Sequence, residues 1–257
     1  MTQFADYANK YPEFRLDRSD DGVLHLTFHT DGGEWVWSAE GHRLFADVLV
    51  DIAGDRDNRV LVMSATGENF IHSILVDSFA GITWDVITSE AKSYFNALLN
   101  LEIPVIAVVS GRCTIHAEIP LLSDIILATP DATFGDTAHV PRNVVPGDGT
   151  QIVWSTILGA NRARHMLFSE RVLTAREALG YGLIGEIVER DAIMDRANSL
   201  ASRIAEMPTV VARNTRTALL RPIRRAIEQD LSLGLALQGA AYGNRPHRGA
   251  TPMEKDE

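Results

Sequence analysis

Three short runs constrain the fold of this chain most: "VLVMSA" at 60–65, "IPVIAVV" at 103–109 and "IILATP" at 125–130. They are apolar at nearly every position, too short for buried helices, and separated by stretches with a helical period. A strand that is apolar on both faces belongs in a sheet covered on both sides, which is the habit of parallel sheets. The intervening periods fit that picture. Leu44, Phe45, Val48, Leu49 and Ile52 share one side of a helix that begins near Ala39, and "WDVITSEAKSYFNALLNL" (84–101) reads as a second amphipathic helix. Two further strands, "FRLDR" and "VLHLTFH", open the chain, and beyond Thr150 the pattern is helical to about residue 240. The order implies an α/β core with a helical C-terminal extension. We expect a core over 1–205, a helical segment over 206–245 and a polar tail over 246–257.

Other classes are disfavoured by simple counts. A formal net charge of −10 gives no basic face for nucleic acid. The longest apolar runs fall far short of the ~20 residues that span a bilayer, and "MTQFADYANK" lacks the cationic start and apolar centre of a secretory leader. The single cysteine, Cys113, cannot form an intrachain disulfide and fits a reducing compartment. A cytoplasmic protein is expected. His25 and His29 stand four apart, but "VLHLTFH" alternates like a strand, with Leu24, Leu26 and Phe28 inward and both histidines on the other face. No third ligand accompanies them, so no metal site is expected.

The residues able to do chemistry sit at element ends. In "AHVPRNVVPGDGT" (138–150), His139 and Asp148 flank a Pro146–Gly147 turn that could bring them together as a proton-transfer pair. Asp148 could equally cap the helix that follows. His116 lies in "SGRCTIHAEIP" after a buried strand, where it could stabilise an oxyanion or merely cap a turn. Cys113 could be a nucleophile, yet its place at the end of an apolar strand argues for burial. Trp35 and Trp37 point the same way on an extended segment, and Phe79 and Trp84 flank a turn at Gly81; each pair could be core or pocket. Arg221, Arg224 and Arg225 have acids one turn on and read as a solvated or interface face. No Gly-x-Ser-x-Gly, Walker or dinucleotide-binding motif is present.

At these residues the chain resembles the crotonase superfamily. "IPVIAVVSGRC…AEIPLLSDIILATPDATFG" and "VPGDGTQIVWSTILGANRARHMLFSERVLTAREALGYGLIGEIV" are similar in order and spacing to that family's motifs, over about residues 15–210. The resemblance implies repeated ββα units forming two near-perpendicular sheets, with a C-terminal helical region that builds a trimer or a dimer of trimers. Typical members polarise an acyl-CoA thioester with two backbone N–H groups. Here "FIHSIL", with Ile74, and "TIHAE" stand where small residues and glycines would, and bulky side chains prevent that close approach. His116, Asp136, His139 and Asp148, in "H.EIP..SDI.LA" and "F.D..H.P...VPGDG", resemble instead the β-diketone hydrolase branch typified by 6-oxocamphor hydrolase. That likeness implies hydrolysis of a C–C bond in a cyclic 1,3-diketone, without metal or organic cofactor. His139, oriented by Asp148, would take a proton from water; His116 would stabilise the oxyanion or enolate and return a proton to carbon. Trp37, Ile74, Phe79, Trp84 and Gln238 would face the substrate. Gln238 departs from the branch, which has an acid there. An acyl-CoA hydratase or isomerase using Glu118, and a non-catalytic relative in which Asp148 is only a cap, are the alternatives.

Overall fold

The computed structural model describes residues 2–244, so the tail expected at 246–257 lies outside the described residues. The strands are β1 (Phe14–Arg18), β2 (Val23–Phe28), β3 (Val60–Ala65), β4 (Val105–Val109), β5 (Arg112–Cys113), β6 (Ile125–Ala128), β7 (Thr133–Phe134), β8 (Leu173–Thr174) and β9 (Glu186–Ile187). The helices are α1 (Phe4–Tyr7), α2 (Ala39–Gly54), α3 (Trp84–Asn100), α4 (Glu118–Leu121), α5 (Thr150–Leu158), α6 (Ala160–Phe168), α7 (Ala175–Gly180), α8 (Ile193–Ala205) and α9 (Thr209–Gly243). One sheet runs β1-β2-β3-β4-β6-β9, antiparallel at β1/β2 and parallel elsewhere. A smaller sheet runs β5-β7-β8.

The continuous apolar runs are explained by burial on both faces of the larger sheet. Val60, Val62, Ile106, Val108 and Leu127 pack under Ile193, Ala197 and Ala201 of α8. Their neighbours Leu61, Met63, Val105, Ala107 and Val109 join the main core with α2 and α3. β2 shows the other pattern: Leu24, Leu26 and Phe28 are buried, while His25 and Thr27 are only partly covered. His29, just past the strand, accepts a hydrogen bond at Nδ1 from the Gly32 N–H, 3.1 Å away. α2 starts where Ser38 caps it through the Gly41 N–H, and the same hydroxyl donates to the buried Glu13 carboxylate at 2.5 Å.

α9 is seated on α3 and α5 by devices that local pattern does not display. Arg216 is fully buried; it pairs with Asp124 and donates to the Leu101 and Leu98 carbonyls. Of the basic residues read as a solvated or interface face, Arg224 ties α9 to the end of α3 through Asn100 and the Leu99 carbonyl. Gly147 and Gly234 meet backbone to backbone: a Cβ on Gly147 would stand 2.0 Å from the Gly234 carbonyl oxygen. Among the described residues, no helix is long and apolar enough to cross a membrane.

Candidate active site

Where α3, α9, the 136–149 loop and the segment before α2 converge, they enclose a cavity of about 420 Å³. Trp37, Ile74, Phe79, Trp84, His116, His139, Asp148 and Gln238 all line it. Its remaining surface is mostly apolar, with Ile82, Ile87 and Leu235 among the wall residues. Trp35, by contrast, is core, stacked on Phe28 at 4.1 Å. Trp84 is held in place, since its indole N–H donates to the Leu235 carbonyl at 3.1 Å.

The 138–150 loop closes on itself as a proton-transfer pair requires. Val140–Arg142 forms a single 3-10 turn that ends at Asn143 in the left-handed region, the Val144 N–H returns to the His139 carbonyl, and Arg142 braces the Thr137 carbonyl. This sets His139 Nε2 2.9 Å from Asp148 Oδ2. The helix-capping alternative is not realised: α5 has Gly149 as its N-cap and no side-chain cap, and the second Asp148 oxygen accepts from the Thr150 hydroxyl at 3.2 Å.

The expected arrangement needs one correction. The other ring nitrogen, Nδ1, lies 2.9 Å from Asp136 Oδ1, so both nitrogens face carboxylates. The ring can donate to both only as an imidazolium, with no lone pair for water. Burial opposes that charge, but Asp148 and Asp136 outweigh it and raise the His139 pKa well above its usual value. Asp148 is itself buried, and the His139 charge carries its pKa below the ordinary carboxylate value. Gln238 Nε2 sits 3.2 Å from His139 Nε2, and its Oε1 is buried with no partner among the described residues. With the ring an imidazolium, the amide NH₂ would set donor against donor, so Gln238 serves the ring best with Oε1 turned toward it.

His116 faces this array across the cavity. It is a non-glycine residue in the left-handed region, φ 45°, where the family's glycine run would stand. Such a conformation costs on the order of 1 kcal/mol and persists because its surroundings fix it. Here the fixing contacts are Glu118, whose Oε1 is 2.6 Å from His116 Nδ1, and Trp37, whose ring centroid is 4.3 Å away. Burial works against a charged His116, but Glu118 prevails and raises its pKa. Its Nε2 bonds to none of the described residues. The Thr150 hydroxyl lies 3.2 Å from both Glu118 Oε2 and Asp148 Oδ1, linking the two histidine–carboxylate pairs. Cys113 is buried in the core and burial raises its thiol well above the usual value, which disposes of a thiolate nucleophile.

His42 and Tyr94 are among the cavity residues that escaped the reading of the sequence. His42, on the first turn of α2, has Nδ1 2.8 Å from Glu90 Oε2, and burial lowers its pKa, keeping it a neutral base. Its place on the buried face of an amphipathic helix made it look like core. Tyr94 lines the cavity from α3 and carried the same disguise.

The enoyl-CoA hydratase/isomerase family model matches residues 21–251. The chain is 27% identical over 204 residues to the short-chain-enoyl-CoA hydratase of Clostridium acetobutylicum, covering 76% of this chain and 75% of that one. Among solved structures it is similar to a β-diketone hydrolase from the cyanobacterium Anabaena sp. PCC 7120, bound to (S)-3-oxocyclohexyl acetic acid. That pair shares 35% identity and a TM-score of 0.90, over 92% of this chain and 96% of the other. An enoyl-CoA hydratase/isomerase from Mycobacterium paratuberculosis matches with a TM-score of 0.83 at 20% identity, over 91% and 95%, a likeness of fold alone. The Anabaena structure matches the branch that His116, Asp136, His139 and Asp148 resemble. The chain has the crotonase fold and belongs to the enoyl-CoA hydratase/isomerase family.

Proposed function

We propose that this protein hydrolyses a C–C bond of a cyclic 1,3-diketone, giving a keto acid. The observation that carries the proposal is the buried Asp136–His139–Asp148 array on a cavity wall, facing His116 in place of a glycine run. With the ring doubly protonated the array holds one net negative charge, and taking up one proton makes it neutral. The array as a whole serves as the base, with Asp148 its cavity-lining member. The water oxygen bonds to one carbonyl carbon as its proton passes to Asp148. The bond from that carbon to the shared α-carbon then breaks, and its electron pair moves onto the second carbonyl as an enolate. His116 enters as the imidazolium, the form that Glu118 favours, and protonates the α-carbon; the proton held by the array restores it. Trp37, Phe79, Ile74 and Trp84 supply an apolar wall that fixes the face of attack.

The ligand of the Anabaena relative, a cyclic ketone bearing an acetic acid arm, is the product type such a cleavage yields, and it supports this reading. Use of Glu118 in acyl-CoA chemistry is disfavoured by its bonds to His116 and Thr150 and by its absence from the cavity lining. The test is to incubate the protein with bicyclic and monocyclic 1,3-diketones, following diketone absorbance and keto acid, with crotonyl-CoA in parallel. Diketone turnover that is lost in Asp148→Asn and His139→Ala is expected. Hydration of crotonyl-CoA with no diketone cleaved would overturn the proposal.

A further inference from the structure

Tyr94 is fully buried, lines the cavity, and carries a hydroxyl with no partner among the described residues. Its ring is fixed edge-on to His42 and Trp37, with centroids 5.5 and 6.2 Å away, so the hydroxyl does not swing freely to find one. Proteins rarely leave a buried hydroxyl unsatisfied, and the exceptions concentrate where water or a ligand completes the bond. Glu118 and Asp148 are the carboxylates whose charge acts on it, and each is already matched by a histidine. The phenol therefore faces two ion pairs rather than two bare anions. Burial, with those carboxylates adding to it, raises its pKa well above the ordinary value, so it remains an O–H donor across the working range.

The reaction creates a need for such a donor. Attack by water places a negative charge on the oxygen of the attacked carbonyl, close to Asp148. The resemblance implies that the close approach of paired backbone amides used in thioester chemistry is hindered where "FIHSIL" and "TIHAE" replace small residues. We infer that the Tyr94 hydroxyl donates a hydrogen bond to the oxygen of the attacked carbonyl as it becomes an oxyanion. The inference rests on the retro-Claisen reading for its reaction, but not for its binding chemistry, because any anionic oxygen at that point would be recognised.

Tyr94→Phe removes the hydroxyl and keeps the ring that packs on Trp37, His42 and Phe95. Three measurements separate the outcomes: kcat on a cleavable diketone, affinity for the enolate of cyclohexane-1,3-dione, and the melting temperature. That enolate resists attack by water and spreads its charge over both oxygens, so it reports donors directly. The expected result is a kcat lower by about 10²–10³-fold, enolate binding weaker by roughly tenfold or more, and no fall in melting temperature. Unchanged kcat together with unchanged enolate affinity would overturn the inference, as would a lower melting temperature with full activity, which marks a structural hydroxyl. If the wild-type protein binds the enolate but cleaves no diketone, the reaction is wrong and Tyr94 stands or falls on enolate affinity alone. If it neither binds nor cleaves, both are wrong.

Discussion

An imidazole between one carboxylate and a water acts as a base by itself; in the proposed reaction His139, held between Asp136 and Asp148 with its pKa raised, instead makes two carboxylates into one proton acceptor. Asp136→Asn keeps an oxygen to accept from Nδ1 but removes a charge, so the array becomes a weaker base and the ring gives up its proton more easily. We expect kcat to fall by about a hundredfold, the lower end of a general-base contribution, and the ring to titrate at lower pH. A pH–rate profile and an NMR titration of the ring check the two parts. The same raised pKa bears on stability. The unfolded ring titrates at about 6.5, so the His139 contribution is complete below that pH and is lost as pH rises through the elevated folded value. Melting temperature should decline on the alkaline side, and His139→Gln should flatten that decline; an equally steep decline in the variant would refute the assignment. His42 is the competing acceptor, and its substitution by Gln costing more kcat than Asp148→Asn would move the base there. His139 and Asp148 were legible because a Pro-Gly turn and nine residues join them. His42 and Glu90 are 48 residues apart and meet only through α2–α3 packing, which no local spacing encodes.

Among elements, the contact that decides the site is α9 against the 136–149 loop. Gly234 is there for space: a Cβ would lie 2.3 Å from the Gly147 carbonyl oxygen and 2.1 Å from Gln151 Nε2. Gly234→Ala must push the helix outward, and overpacking of this kind costs about 1–3 kcal/mol. At about 2–4 °C per kcal/mol for a chain of this size, differential scanning fluorimetry should show a clear drop. The drop should be accompanied by lost turnover, because Leu235 and Gln238 ride on the same turn of helix. Gly180→Ala is the control: nothing lies within 4 Å of its added Cβ, and at the end of α7 it should be neutral or stabilising. The helices and long strands were readable from period and run length, and α2 ends within two residues of the Ile52 expected from its apolar face. β5, β7 and β8 were not, since two residues carry no alternation to detect. The glycine contact was invisible too, because a glycine in a helical run looks like a weak helix former until its neighbour is known.

For the molecule as a whole, α9 has two faces with different tasks. Leu231, Leu235 and Gln238 are buried against the core and cavity, while Leu219, Leu233 and Leu237 stand 71%, 60% and 50% exposed. Spacings of fourteen and four residues put those three leucines on one stripe of the helix, and an exposed apolar stripe of that length is a covered surface in waiting. The layered core was evident from the alternation of runs and periods, yet the trimeric assembly came only from the family resemblance, since one chain shows a face and not what covers it. We expect the protein in solution at three or six times the mass of one chain, by light scattering. Leu233→Glu combined with Leu237→Glu would place charge in the stripe and should reduce that mass to a monomer's. Because the same turns of α9 carry Gln238 on their inner side, dissociation should loosen the cavity wall and lower kcat in parallel. A monomeric variant with full kcat would show that α9 holds its wall unaided; a monomeric wild type would remove the stripe from the account of assembly altogether.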